Sequence, residues 1–304
     1  MKVIEGEGLT KWYGEVLGLN RFTASFEPGI TGLVGPNGAG KSTFLKLATG
    51  QLLPNEGTLQ VMGERPFNNP SLMARLGYCP EHNRIYDFMS GRRFVTTLLR
   101  LSGYGKEEAE RRSHESMELV GLTTDMDRPL GGYSKGMRQR TKLAQALAHN
   151  PQLLILDEPL NGTDPVGRAR MIEVIKGLPA EGVSVIVSSH ILFEVERMTD
   201  RVVLIHRGKA IASGLIREIR RLIDEHPHTV RMQTPRPREL AAELAGQDHV
   251  AEIGFDGDML TVRTRDPERF YTDLPGIVVG AGIPIQAMES PDDNLEAVFR
   301  YLVG

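Results

Sequence analysis

Residues Gly35-Pro36-Asn37-Gly38-Ala39-Gly40-Lys41-Ser42 fit the pattern G-x-x-x-x-G-K-[ST] in full. They follow an aliphatic run, Ile30–Val34, and open a segment, Ser42–Thr49, that reads as a helix stopped by Gly50. Strand, glycine-rich loop and helix in that order are the context in which this pattern holds phosphate. Glycine and asparagine let the backbone curl until successive N–H groups point at phosphate oxygens. The helix N-terminus adds partial positive charge. In that frame Lys41 reaches the β- and γ-phosphates of a nucleoside triphosphate, and Ser42 offers a hydroxyl to Mg²⁺. A second group supplies acid. Leu153-Leu154-Ile155-Leu156 runs directly into Asp157-Glu158-Pro159. A buried strand that delivers two carboxylates at its C-terminal end sets them at the ligand crevice of an α/β sheet. Asp157 suits a hold on Mg²⁺, and Glu158 is placed to orient or deprotonate a water for in-line attack on the γ-phosphate.

Such groups need a sheet to bring them together. The first two-thirds of the chain alternate strand-like and helix-like segments, the pattern of an α/β fold. Ile30–Val34, Leu153–Leu156, Val183–Val187 and Val202–Ile205 read as short buried strands. Met137–His149 reads as a helix ended by Asn150-Pro151, and Lys106–Val120 as a helix with one solvated face. A second unit is expected near residue 224, after a first domain over 1–220, with Asp224–His228 and Thr234–Arg238 rich in charge and proline. Within 224–304 the pattern gives strand Thr229–Gln233, helix Arg238–Ala245, strand Val250–Phe255 and strand Met259–Thr264. Helix Pro267–Leu274, strand Ile283–Met288 and helix Leu295–Leu302 follow, with Asp256-Gly257 at a hairpin turn. The order β-α-β-β-α-β predicts a small α+β, ferredoxin-like unit. Its last helix carries Leu295, Val298, Phe299 and Leu302 on one stripe.

Composition excludes several classes. The 304 residues hold 36 Lys plus Arg against 39 Asp plus Glu, a net charge of −3. That balance gives no broad basic footprint for nucleic acid or an anionic membrane. Cys79 is the single cysteine, so neither an internal disulfide nor a cysteine-built zinc site is available, and a reducing, cytoplasmic setting is expected. No apolar run approaches the ~20 residues that span a bilayer, and the start MKVIEGEG lacks the apolar core of a signal peptide. Any membrane role is therefore expected to pass through a partner.

With these residues in order, the chain resembles the ATP-binding subunits of ABC transporters. Ser134-Lys135-Gly136-Met137-Arg138-Gln139-Arg140 is similar to that family's signature sequence. Asn161-Gly162-Thr163-Asp164-Pro165 resembles its D-loop, Ser188-Ser189-His190 its switch-histidine segment, and Tyr13-Gly14 its adenine-stacking aromatic. The likeness covers roughly residues 1 to 215, and the ending resembles that of ATPases serving bacterial ABC-2 type exporters. The resemblance implies a P-loop NTPase fold with a helical insert. It implies an ATPase that binds ATP with Mg²⁺ and dimerises, as a pair of identical chains, around two nucleotides to power a separate transmembrane permease. Lys41, Glu158 and His190 then carry the catalysis. Gly35 to Gly40, Lys41, Ser42, Thr43 and Tyr13 bind one nucleotide, while Ser134, Gly136 and Asp164 complete the site of a second subunit. Ser42, Asp157 and Glu81 hold the metal. Outside such a constellation, Tyr13 and His190 read as ordinary packing residues.

The sequence departs from the family pattern at four places. Tyr133 stands where Leu is usual, Lys135 where Gly is usual, and Thr163 replaces a usual Leu. Glu81 occupies the place of a Gln, and an ionised Glu accepts but does not donate. The stretch Glu81–Arg93 begins the insert; Arg84, Ile85, Tyr86, Phe88 and Met89 there fit a partner groove or plain packing equally. The expected setting is cytoplasmic, peripheral on the inner membrane face through the permease. The alternative is an ABC-type ATPase acting on nucleic acid or the ribosome. Against it stand the short 93-residue interval from Lys41 to Ser134, one nucleotide domain rather than two, and the near-neutral charge. A non-catalytic nucleotide sensor is expected to lack Lys41 or Glu158, and both are present. Dimer support, regulation or a plain appendage are the open readings for the C-terminal unit.

Overall fold

The structure, a computed structural model, describes residues 2–82, 85–221 and 227–290. Arg84, residues 224–226 and the helix expected over Leu295–Leu302 lie outside them. The chain divides into two compact units, residues 1–216 and 217–304.

The first unit opens with β1 (Ile4–Tyr13), β2 (Val16–Phe26), β3 (Ile30–Val34), α1 (Lys41–Ala48), β4 (Glu56–Val61) and α2 (Pro70–Met73). It continues with β5 (Leu76–Cys79), α3 (Gly91–Leu101), α4 (Lys106–Leu119), α5 (Lys135–Leu147), β6 (Leu153–Asp157) and α6 (Pro165–Gly177). β7 (Ser184–Ser189), α7 (Leu192–Glu196), β8 (Arg201–His206) and β9 (Lys209–Leu215) follow, and α8 (Ile216–Arg221) starts on the last residue of this unit and belongs to the second from residue 217 on. Two sheets result. The strands β2-β1-β4 form an antiparallel sheet, and β5-β6-β7-β3-β8-β9 form a second, parallel except for the last strand. Strands β6 and β7 are buried along their whole length, which is why they read as unbroken aliphatic runs rather than alternating ones.

One apolar core lies between the sheets and α1. Phe44 of α1 is fully buried there, its ring 4.8 Å from Phe22 and 5.2 Å from Phe26 of β2. A second core joins the insert α3–α4 to α5 and α6. Tyr133 belongs to this core. Its hydroxyl donates to the Asp125 carbonyl at 2.6 Å, a bond no Leu could make, and burial pushes its phenol up to about 12. The loop before α3 is tied to the same place, for Leu130 N–H donates to Met89 O and Gly131 N–H to Asp87 O. Cys79, at the end of β5, is fully buried, and burial pushes its thiol up to about 11.

The second unit contains β10 (His228–Gln233), α9 (Pro237–Ala245), β11 (Val250–Asp256), β12 (Met259–Thr264), α10 (Pro267–Ala281) and β13 (Ala287–Glu289). Its sheet runs β11-β12-β10-β13, all antiparallel, which is the strand order of a ferredoxin-like unit. Two boundaries differ from expectation. Pro275 does not end α10, which continues seven residues beyond Leu274. Phe270, Leu274, Ile277, Val278 and Ala281 keep the helical period against the core, and this packing outweighs the bond that the proline removes. The helix closes at Gly282 with φ 62°, where Ile283 N–H reaches back to Val278 O. Ile283 therefore packs as a buried residue after the helix, and the last described strand shrinks to three residues.

Phe44 is the largest apolar anchor of the helix behind the phosphate loop. Phe44→Ala is expected to lower unfolding free energy by about 3–5 kcal/mol in denaturant titrations of the chain.

Candidate functional site

Register brings the chemistry to one edge. In the parallel sheet Val34 of β3 pairs with Ser189 of β7, and Ser188 pairs with Asp157 of β6. The phosphate loop, the acidic pair and the switch histidine thus leave adjacent strands at the same level. Gly40 takes φ 110° as α1 begins, and a Cβ there would lie 2.7 Å from the Gly18 carbonyl oxygen. The next residue, Lys41, is buried. Its ammonium donates to Gly35 O at 2.7 Å and Pro36 O at 3.3 Å, and stands 3.2 Å from Glu158 Oε1.

Glu158 is held on every side. Its backbone is left-handed at φ 48°, a conformation that costs a non-glycine residue about 1–3 kcal/mol and persists only where surroundings fix it. Its N–H donates to Ser188 Oγ at 3.0 Å, and its carbonyl accepts from Gln139 Nε2 at 3.1 Å. Ser188 Oγ in turn donates to Asp157 Oδ1 at 2.7 Å. The second Glu158 oxygen, Oε2, lies 2.9 Å from His190 Nδ1. Lys41, Glu158 and His190 therefore form one continuous chain of polar contacts. Ser188 and Gln139 stood in the sequence only as members of motif segments, and their clamp on Glu158 is what sequence reasoning missed. The signal for Ser188 was its register opposite Asp157; for Gln139, a buried amide on the helix that starts the signature, no local signal existed.

A cleft of about 440 Å³ opens beside this chain. Tyr13, loop residues 37–43, Glu81 and Glu158 line it, with Val16, Leu17 and Gly18. The Tyr13 ring lies so close over Gly18 that a Cβ there would meet it at 2.8 Å. Half of the ring is open, which leaves a π-face available beside Thr43. Glu81 is placed by a buried lysine. The Lys142 ammonium donates to Pro80 O at 2.6 Å and to Glu81 O at 3.0 Å, and burial lowers its proton affinity. Gly35 and Pro36 face Lys41 with their carbonyls rather than lining the cleft. A larger cavity of about 610 Å³, beside α3 and the end of α5, carries neither the loop nor the acids.

Ser134, Gly136 and Asp164 form a separate group, and none of them lines the cleft. Ser134 caps α5, its Oγ accepting from Met137 N–H at 3.2 Å, and remains exposed. Gly136 is buried against the D-loop; a Cβ there would lie 3.2 Å from Asp164 Oδ2 and 3.4 Å from Thr163 Cα. Asp164 caps α6 by accepting from Gly167 N–H at 2.8 Å, and that backbone bond holds its carboxyl below the usual range. Thr163 is buried and donates to Leu160 O at 2.7 Å, so the hydroxyl that departs from the usual Leu is satisfied inside the loop.

Ser42, Asp157 and Glu81 offer oxygen donors only. That set suits a hard divalent ion that takes few protein ligands and keeps waters and phosphate oxygens.

Residues 19–161 match the ABC transporter family. An ABC transporter ATP-binding protein of Bacillus subtilis strain 168, YxlF, is 31% identical over 89% of this chain and 89% of its own length. The bacitracin transport ATP-binding protein BcrA of Bacillus licheniformis is 31% identical over 99% of this chain and 97% of its own. A solved ATP-binding subunit of an ABC transporter, 28% identical, superposes with a TM-score of 0.66 over 73% of this chain and 93% of that one.

The Lys41–Glu158 contact means that phosphate must replace a carboxylate to reach the ammonium. Glu158→Gln keeps the shape and removes that competing charge, so it is expected to tighten ADP binding about three- to tenfold. Isothermal titration calorimetry reads this without any hydrolysis; unchanged or weaker binding contradicts it.

Proposed function

The chain belongs to the ABC transporter family of ATP-binding, ATP-hydrolysing subunits, and from that premise we propose that two copies close head to tail around two ATP molecules to drive a separate membrane permease. One observation carries this reading. The cleft holds the phosphate loop and Glu158, while Ser134, Gly136 and Asp164 stand outside it. A second anion-binding group with no nucleotide of its own gains a use only if a facing copy presents one.

In each site the loop N–H groups and Lys41 hold the β- and γ-phosphates, and Tyr13 stacks on adenine. Ser42, Asp157 and Glu81 would hold Mg²⁺, which offsets phosphate charge when bound. Glu158 takes a proton from a water as the water oxygen bonds to the γ-phosphorus and the bond to the ADP oxygen breaks. His190, 2.9 Å from Glu158 Oε2, fixes the carboxylate and meets the γ-phosphate side of that water. Ser134 and the start of α5 cap the γ-phosphate bound on the other copy, with Asp164 beside them. Closure on ATP and opening after hydrolysis then supply the motion that the permease uses.

The permease carries the membrane role, since no helix among the described residues is long and apolar enough to span a bilayer. Tyr86 and Phe88 of the insert are exposed and paired at 5.9 Å, a fitting contact for that partner. The likeness, 31% identical over 99% of this chain, to a Nod factor export ATP-binding protein of Rhizobium sp. strain N33 supports export of cargo from a cytoplasmic face. Residues 1–220 are the ATP-binding domain in this reading, and 224–304 an accessory domain that supports or regulates the pair.

Turnover per chain should rise with protein concentration, because two chains make each site. Glu158→Gln is expected to lower turnover about 10²- to 10⁴-fold while ATP still drives dimerisation, and Ser134→Ala to weaken that dimerisation. A steady-state rate independent of concentration and of Ser134 would refute the paired site.

A further inference from the structure

Among the described residues three acids are buried: Asp157, Glu158 and Glu194. The first two leave the strand end that faces the cleft. Glu194 lies in the middle of α7 and takes no part in lining that cleft. Burying a carboxylate is costly, so its contacts show what it is kept for. Its Oε2 accepts from the Ser189 hydroxyl at 3.2 Å. Its Oε1 faces Arg168 Nη1 of α6 at 3.7 Å, too long for a hydrogen bond but close enough to supply opposite charge.

Ser189 connects this acid to the site. It is the last residue of β7, is buried, and directly precedes His190. Its hydroxyl oxygen accepts from Ile191 N–H at 3.0 Å, which closes a short turn across His190. Its carbonyl accepts from Gly35 N–H of the phosphate loop at 3.3 Å. A hydroxyl has one proton, and Glu194 takes it, which leaves the oxygen aimed at Ile191. The His190 ring is exposed, and one hydrogen bond among the described residues holds it, from Nδ1 to Glu158 Oε2 at 2.9 Å. Its backbone must therefore set where the ring stands.

We propose that Glu194 is a positioning residue for ATP hydrolysis: through the Ser189 hydroxyl it fixes the turn around His190, and so keeps Nδ1 on Glu158. This rests on the reading above, in which His190 and Glu158 act on the same water. Glu194 touches neither nucleotide nor water. It acts because an exposed ring on a loose turn would leave the productive geometry, and small displacements of a catalytic group are expensive. Arg168 balances its charge, so the carboxylate stays where Ser189 can use it.

The test uses the full chain with isotope-labelled histidine, the His190 ring signal in NMR spectra being identified by its loss in His190→Ala. Glu194→Met removes the acceptor at similar volume and is expected to shift that signal without any nucleotide present. Glu194→Gln keeps an acceptor oxygen and should leave the signal near the parent's. In steady-state turnover Glu194→Met is expected to lower kcat about ten- to a hundredfold, with KM for ATP changed less than about threefold. Glu194→Gln should stay within about threefold of the parent. In a His190→Ala background Glu194→Met should cost less than about twofold more, because the residue it positions is gone. Ser189→Ala cuts the same link with little change of volume and should reproduce both effects, which keeps the test decisive if Glu194→Met does not fold. A His190 signal unmoved in these variants, or an equal loss of turnover with and without His190, would overturn the proposal. Turnover by His190→Ala at the parent's rate would instead remove the catalytic part of His190, and the use of this hold with it.

Discussion

A buried ammonium and a buried carboxylate, 3.2 Å apart, hold the site together. Neither Lys41 nor Glu158 tolerates burial without a counter-charge, and each is the other's partner. Everything around them serves that contact. Glu158 could not reach Lys41 from an ordinary strand exit, so its backbone is turned left-handed and clamped by Ser188 and Gln139. Lys41 donates to two carbonyls that leave its charge unmatched, Glu158 Oε1 supplies the counter-charge, and the second Glu158 oxygen lies against His190.

The clamp is assembled from strand ends rather than from loops. β3, β6 and β7 terminate side by side, and their parallel register sets which residues leave the sheet at the same height. A one-residue slip of β7 against β6 would move Ser188 away from Asp157 and leave Glu158 N–H without its acceptor. The full burial of β6 and β7 is what fixes the register, because any slip exposes or misplaces an entire apolar strand.

Much of this was legible in the sequence, for a physical reason. The phosphate loop and the Asp157-Glu158 pair each lie within a few residues of a short aliphatic run, so local pattern alone finds them, whereas His190 stood out only through the family resemblance. The four central strands follow from the same runs, and α1, α4, α5, α9 and α10 from helical pattern, while α2, α3, α6, α7 and α8 were not read. The outer sheet was not found. β1 and β2 mix polar and glycine residues and carry register shifts between Gly6 and Trp12, which break the alternation that marks a strand. The supporting residues were not found either. Gln139 meets Glu158 across 19 positions, and Lys142 meets Glu81 across 61, contacts that only the tertiary fold creates. Pro275 misled in the opposite sense, since the local rule for ending helices yields to an apolar stripe that continues past it.

The lone thiol gives the chain an internal reporter. Cys79 is the last residue of β5, fully enclosed, and the next two residues lead to the Lys142-held carbonyls of Pro80 and Glu81. Any excursion that releases those carbonyls also frees the chain that continues directly from Cys79. Alkylation kinetics at this one atom would therefore time the breathing of the loop that carries Glu81, in a molecule that needs no added label.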